Sequence, residues 1–121
     1  MKIYAGSCEN GTEVVTVNGT TLDPRFDLVT HSPTGFSWGY GGSGPAQLAI
    51  AILADCVGPT GAKRFYQDFK WQVVCHWVLH EPWTITEAEI RAWVAEAQAE
   101  RDRSAMATQF DADLDAHPLE N

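Results

Sequence analysis

Backbone amide groups carry the clearest chemical signal in this sequence. Residues 39–44 place four glycines within six positions, and Pro45, a residue that suits the first turn of a helix, follows directly. Because glycine has no Cβ, the peptide N–H groups of such a run can approach a ligand closely. A helix that begins here would also direct its unpaired N–H groups and positive dipole end at the same place. We therefore predict a site for a small anionic, nucleotide-like ligand at residues 41–44.

Several nearby residue types could complete such a site by stacking, hydrogen bonding and neutralising charge. The predicted ligand-binding residues are Arg25, Tyr40, Gly41, Gly42, Ser43, Gly44, Gln47, Lys63 and Lys70. Three cations suit a nucleotide with two phosphates better than a neutral metabolite. The glycines and the lysines each have an alternative role that does not involve a ligand. The glycines would allow a tight turn to pack under Trp38, and the lysines would face water.

The glycine run does not match the known phosphate-binding loops. Residues 39–44 satisfy G-x-G-x-x-G, but a dinucleotide fold also needs a second parallel strand and an acid about 20 residues further on. Residues 59–75 are instead typical of a turn and a helix, and no Gly-Lys-Ser/Thr follows the run. We predict no bound cofactor.

Catalytic and metal-binding patterns are weak. His76 and His80 lie four residues apart beside Cys75, a spacing that could present two metal ligands on one helix face. Further ligands are not displayed, so histidines that pack at the edge of the core are the favoured interpretation. His31 offers no nucleophile an obvious base. We predict no catalytic residues, no metal and a binding protein rather than an enzyme, with a small hydrolase or lyase as the lesser alternative.

The charge is strongly asymmetric along the chain. The net charge is −8, and residues 81–121 contain ten acidic side chains against three arginines. This balance excludes direct nucleic-acid binding by that face, since such binding depends on lysine and arginine. The acids indicate a solvated helix face, or alternatively an acidic inhibitor that mimics nucleic acid and binds a basic host protein.

The elements that would position these residues are strands followed by helices. Asn18-Gly19 is a strong hairpin signal, and Thr86 with Glu89 forms a capping box at the start of a helix. We predict strands at residues 2–7, 12–17, 20–22 and 36–40, a buried helix around 48–54 stopped by 58–61, a central helix at 62–79 and a third from 86. The predicted fold is α+β, a small antiparallel sheet of three to four strands packed by three helices.

The domain boundaries follow from where the apolar pattern thins. We predict one α+β domain over residues 1–100 and an acidic extension over 101–121. Apolar residues that continue past Ala97, including Met106 and Phe110, predict a homodimer or higher oligomer, or alternatively a tail folded back over the sheet. Three widely spaced cysteines, no apolar run of membrane length and no secretory pattern at the start predict reduced thiols in a cytoplasmic protein, away from any membrane.

Residues 35–49, with the sequence G-F-S-W-G-Y-G-G-S-G-P-A-Q-L-A, resemble an uncharacterised domain family of bacterial, plasmid and phage proteins. Residues 66–71 and 85–90 carry the same resemblance, which covers roughly residues 1–95. The resemblance implies a mobile-element setting, in which small acidic accessory proteins oppose host defence, and it implies no catalytic residues. On this basis we expect an accessory protein that sequesters a nucleotide-like ligand at the glycine run.

Overall fold

A computed structural model describes the backbone of residues 1–116 and the side chains of residues 1–108. In chain order the elements are β1 (Ile3–Glu9), β2 (Thr12–Val17), β3 (Thr20–Thr21), α1 (Ser43–Val57), α2 (Pro59–Gln72), a short 3-10 helix (Val74–His76), β4 (Trp83–Thr86) and α3 (Glu87–Ala116). The four strands form one antiparallel sheet, which confirms the predicted α+β fold.

Two tight turns set the register of the sheet, whose strand order is β3-β2-β1-β4. Asn10-Gly11 and Asn18-Gly19 all have positive φ, as type I′ hairpin turns require. Tyr4 is fully buried on the inner face of β1, and the buried Val15 lies on the same face of β2, opposite Gly6. The hairpin predicted at Asn18-Gly19 is confirmed.

Helix α1 lies at the centre of the core. Its residues from Gly44 to Ala54 are all buried, so the predicted buried helix is confirmed and extended at both ends. Gly58 alone separates α1 from α2, with φ +93, and Pro59 already belongs to the first turn of α2. The prediction that residues 58–61 form a separating turn is therefore wrong for residues 59–61.

Helix α2 is shorter and less central than predicted. It ends at Gln72 rather than at residue 79, and Val73 leaves the helical region before the 3-10 helix begins. Only one side is buried, mainly through Ala62, Phe65 and Phe69. The central position that the sequence predicts for this helix belongs to α1.

The predicted strand at residues 36–40 is wrong, because this segment is irregular. Trp38 is fully buried there, and its Nε1 donates to the carbonyl oxygens of Val78 and Glu81 at 3.0 and 3.1 Å. The fourth strand is instead β4, which pairs with β1 from Trp83 opposite Gly6 to Thr86 opposite Ile3.

The capping box at the start of α3 is confirmed. The N–H of Glu89 donates to Thr86 Oγ1 at 3.1 Å, and the N–H of Thr86 donates to Glu89 Oε1 at 2.9 Å. At the same point the N–H of Glu87 donates to the carbonyl of Lys2. β4 therefore passes directly into α3.

The chain divides into two compact units, Met1–Arg91 and a second that begins at Ala92, so the division falls within α3. The predicted boundary at residue 100 stays a prediction. In the second unit Arg103 pairs with Glu96 and Glu100, and Met106 is 74 % exposed. The predicted oligomer stays a prediction, and the Phe110 side chain and residues 117–121 lie outside the described part of the chain. Among the described helices, none combines the length and apolarity needed to cross a bilayer.

Candidate functional site

Neighbouring side chains occupy the space that the glycines of the turn leave open. A Cβ on Gly41 would meet the Trp71 ring, one on Gly42 would lie 2.5 Å from Tyr40 Cε2, and one on Gly44 would lie 2.8 Å from Ser37 Cβ. These distances are too short for real Cβ contacts. The glycines thus have a packing role, and the groups that they admit include two aromatic rings.

Both of those rings also face solvent. The Tyr40 side chain is 46 % exposed and Trp71 is 56 % exposed, values that are high for aromatic residues in contact with a turn. Trp71 rests on Gly41, and Tyr40 lies against Gly42 with its hydroxyl near Gly44. We call the surface formed by Tyr40, Trp71 and the backbone of Gly41 and Gly42 the aromatic surface.

Lys70 supplies positive charge next to this surface. Its Nζ lies 4.4 Å from the centroid of the Trp71 ring, a cation–π contact. The residue is only 7 % exposed, so its aliphatic stem is buried although it carries a charge. Among the described side chains, no carboxylate forms an ion pair with Lys70. The contact of its charged group among these side chains is therefore the face of the Trp71 ring.

The amino end of α1 borders the same turn. Gly42 is the N-cap residue and provides no side-chain cap, and the first helical hydrogen bond runs from the N–H of Ala46 to the Gly42 carbonyl. The N–H groups of Ser43 and Gly44 precede that bond and so belong to the unpaired first turn. No acidic residue lies in this turn, and Ser43 is exposed.

Gln47 has a different role from the one predicted. It is fully buried; its Oε1 accepts from the N–H groups of His31 and Ser32, and its Nε2 donates to the carbonyls of Pro24 and Val29. Both amide hydrogens and both lone pairs of the oxygen are thus used within the protein. In this structure Gln47 holds the loop of residues 24–32 and has no capacity left for a ligand.

Arg25 pairs with Asp27 within the loop of residues 24–32, and Lys63 is exposed on α2. Arg25 Nε and Nη2 each donate to the Asp27 carboxylate at 2.9 Å, a bidentate pair. This contact lowers the pKa of Asp27 from its usual value, chiefly through the hydrogen bonds from Arg25, and the charge of Lys63 acts in the same direction. The charge of Arg25 is therefore already paired within the loop.

The nine predicted residues accordingly have four placements. Tyr40, Gly41, Gly42, Ser43, Gly44 and Lys70 come together at the turn, Gln47 supports the loop from inside, Arg25 pairs with Asp27, and Lys63 is exposed on α2. Trp71 is the residue that the sequence interpretation missed. A signal was present, because Phe65 and Phe69 mark the buried side of α2 and a residue two positions after Phe69 must point elsewhere.

The candidate histidine pair does not form on one helix face. The 3-10 helix ends at His76, and His80 lies in a turn with φ +66. The cysteines Cys8, Cys56 and Cys75 are free, as predicted.

Polar groups at the other end of α1 anchor the sheet. Tyr4 Oη donates to Asp55 Oδ2 at 2.7 Å, and Lys2 Nζ donates to the same oxygen at 3.1 Å. Burial, followed by the hydrogen bond to Asp55, raises the pKa of the Tyr4 hydroxyl far above its usual value. Tyr4 therefore stays protonated and joins β1 to α1.

The chain belongs to the family of unknown function DUF6166, whose match extends over residues 4–96. This range includes the whole glycine turn, the aromatic surface and Lys70. No curated protein and no solved structure matches the chain.

Proposed function

We propose that this member of the DUF6166 family binds a planar anionic ligand of the nucleotide class on the aromatic surface, without catalysing a reaction on it. The observation that carries the proposal is the pair of exposed rings, Tyr40 and Trp71, packed on a glycine turn beside the ammonium group of Lys70. A base stacked on an exposed aromatic ring contributes about 1–3 kcal/mol, and such stacking requires no particular base.

The charge near the surface favours a ligand with few phosphates. Lys70 is the cation in contact with Trp71, and the N–H groups at the start of α1 add a partial positive charge. Arg25, which the sequence predicts as a ligand for a second phosphate, forms a bidentate pair with Asp27 instead. One lysine and the amino end of one helix match the charge of a nucleoside monophosphate better than that of a diphosphate or triphosphate.

The biological setting is part of the same proposal. A phage or other mobile-element origin, a place in the bacterial cytoplasm and the sequestration of a nucleotide-like signal against host defence rest on the resemblance carried by residues 35–49. Sequestration needs binding without turnover, which agrees with a surface built from aromatic rings, one lysine and backbone amides.

The acidic character of the chain supports a second candidate function, inhibition of a basic host protein. Its basis is the net charge of −8 and the ten acidic side chains among residues 81–121. Two of these acids, Glu96 and Glu100, already pair with Arg103. This pairing reduces the local charge that a basic partner would meet, so we place nucleotide binding first.

Thermal unfolding of the full chain with a panel of nucleoside monophosphates, the corresponding diphosphates and base-free ribose phosphate tests the proposal. A ligand held 100-fold above its Kd adds about 2.7 kcal/mol to the free energy of unfolding. We expect such a shift with at least one monophosphate, and none with ribose phosphate at equal concentration, since the base provides the stacking.

Trp71→Ala and Lys70→Met should each remove most of that shift. Lys63→Met, which deletes a lysine seven residues away on the same helix, and Phe26→Ala, which removes another exposed ring, are the matched controls and should keep it. The absence of a shift with every nucleotide, or an unchanged shift in both Trp71→Ala and Tyr40→Ala, would contradict the proposal.

A further inference from the structure

Three side chains with metal-binding atoms meet where the turn that contains His80 reaches the β1–β2 hairpin. The Sγ of Cys8, a carboxylate oxygen of Glu13 and a ring nitrogen of His80 all lie within 4.8 Å of one another. Within the part of the chain whose side chains are described, this is the only group of three or more His, Cys, Asp or Glu residues with that geometry. They come from two adjacent strands and a distant turn, so their meeting is a product of the tertiary fold.

The sheet fixes two of the three groups. Cys8 and Glu13 are directly opposite each other in the β1–β2 register, and opposed residues project on the same face. That face is the inner one, because Tyr4 and Gly6 precede Cys8 at alternate positions and are buried, as is Val15 two residues after Glu13. Cys8 and Glu13 themselves are half-buried and thus reachable from solvent.

A clamped turn brings the third group to the same place. The Trp38 indole N–H donates to the carbonyls of Val78 and Glu81, on either side of His80. The N–H of Glu81 closes the turn on the Val78 carbonyl at 3.0 Å, and His80 has the left-handed φ of +66. A non-glycine residue in that conformation is uncommon and is held there by its surroundings.

The donor set selects a class of metal. A thiolate, an imidazole and a carboxylate together suit zinc and similar transition metals, whereas magnesium and calcium require oxygen ligands. Separations below 4.8 Å are within a small side-chain adjustment of those between ligands around one tetrahedral ion, whose bonds are about 2.0–2.3 Å long. Three protein ligands would leave a fourth position for water, because His80 is exposed.

We propose that Cys8, Glu13 and His80 form a binding site for zinc or a similar divalent transition metal, with an open fourth coordination position. On binding, the Cys8 thiol releases its proton to solvent and the thiolate sulfur becomes a ligand. The site is independent of the proposed nucleotide-binding surface and uses none of its residues.

Cobalt and zinc titrations of the full chain, freed of any affinity tag and stripped of metal, test the site. We expect one Co²⁺ per chain, with the near-ultraviolet charge-transfer absorption of a thiolate ligand and the visible bands of a tetrahedral ion, and displacement of Co²⁺ by Zn²⁺. Cys8→Ser should abolish the charge-transfer band. Glu13→Gln and His80→Asn should each weaken zinc binding by roughly 100-fold; asparagine is chosen because it tolerates the left-handed backbone of residue 80.

Matched variants replace the same residue types outside the group. Cys75→Ser, His76→Asn and Glu9→Gln should leave both the spectrum and the zinc affinity unchanged, and circular dichroism verifies that every variant is folded. If Cys8→Ser misfolds, protection of the Cys8 thiol from alkylation by Zn²⁺ in the unaltered chain gives the same information. A wild-type chain without the charge-transfer band, or one whose band survives Cys8→Ser or is lost with Cys75→Ser, would overturn the proposal.

Discussion

Two segments lead into helix α1, and different interactions hold them in place. The backbone of the loop of residues 24–32 accepts or donates four hydrogen bonds with the buried Gln47 side chain, and His31 adds a hydrogen bond to Tyr66. The glycine turn of residues 39–44 is instead closely packed, because neighbouring groups fill the space where Cβ atoms would lie. Order in the loop therefore depends on hydrogen bonds, whereas order in the turn depends on close packing.

The difference also determines which segment is free to bind. The amide of Gln47 is buried and saturated, so the loop contributes structure. The rings admitted by the glycines stay partly exposed, so the turn offers a surface. Variants that add a methyl group to a glycine of the turn test the close packing, and variants that remove the Gln47 amide test the hydrogen bonds of the loop.

The largest effect is expected for Gly39→Ala. Gly39 has φ +88, and a Cβ there would lie 2.6 Å from the backbone nitrogen of Leu79, which cannot move aside as a side chain can. We expect a loss of about 3 kcal/mol or more in the free energy of unfolding, measured by urea denaturation. Gly35→Ala is the control, because φ is +129 but nothing lies within 4 Å, and its loss should be clearly smaller. Equal losses at both positions would show that backbone strain alone, and not the contact with Leu79, governs the turn.

Gln47→Leu should have the next largest effect. Leucine is similar in size but leaves two backbone donors and two carbonyls of the loop without their partner, and we expect a loss of about 2–3 kcal/mol. Hydrogen exchange should show faster exchange at His31 and Ser32, while the amide of Gly39, which donates to the Val74 carbonyl, keeps its protection. Gln67→Leu, at an exposed position on α2, is the control. Unchanged exchange at His31 would contradict the role assigned to Gln47.

Gly41→Ala should change binding more than stability. The added methyl group displaces Trp71, a ring that is already 56 % exposed, so the free energy of unfolding should fall by only about 1 kcal/mol. Nucleotide-induced thermal shifts should nevertheless disappear. In a Trp71→Ala background the same substitution should cost little further stability, and a large loss of unfolding free energy there would show that Gly41 acts through something other than the ring.

The smallest effect concerns the ion pair of the loop. Because the hydrogen bonds from Arg25 lower the pKa of Asp27 in the folded state, the contribution of this pair to stability is complete above the usual carboxyl pKa. It is lost as the pH falls through the lower folded value. The difference in unfolding free energy between the wild type and Asp27→Asn should thus be constant above about pH 5 and shrink toward zero in more acidic solution. If the difference in unfolding free energy between the wild type and Asp27→Asn grows as the pH falls, the pKa of Asp27 is raised and not lowered in the folded state, and the prediction is wrong.

Local signals account for what the sequence predicted well. Asn-Gly pairs adopt the positive φ that a hairpin turn requires. The capping box of Thr86 and Glu89 forms within four residues of sequence. Residues 48–54 are all apolar, so they are buried in the core. The errors are non-local. Residues 36–40 have strand-like composition, yet the indole of Trp38 finds its acceptors at Val78 and Glu81, and β4 is a strand only because β1 lies beside it.

The same distinction explains how far the candidate site could be predicted. The glycines and Tyr40 adjoin in sequence and stay together in space, whereas Lys70 reaches the turn only because Trp71 packs on Gly41. Arg25 was predicted to lie at the turn, but its guanidinium group forms a bidentate pair with Asp27, two residues away in sequence. Competition from a local partner cannot be judged from residue type alone.

The single-residue connection at Gly58 has a consequence for how the chain folds. α1 and α2 are neighbours in sequence and pack against each other, so their contacts form with little loss of chain entropy. Pairing of Ile3 with Thr86, by contrast, must join opposite ends of the first unit. We expect the helical hairpin to be largely formed in the folding transition state and β4 to dock last, so that substitutions in α1 slow folding while those in β4 mainly accelerate unfolding.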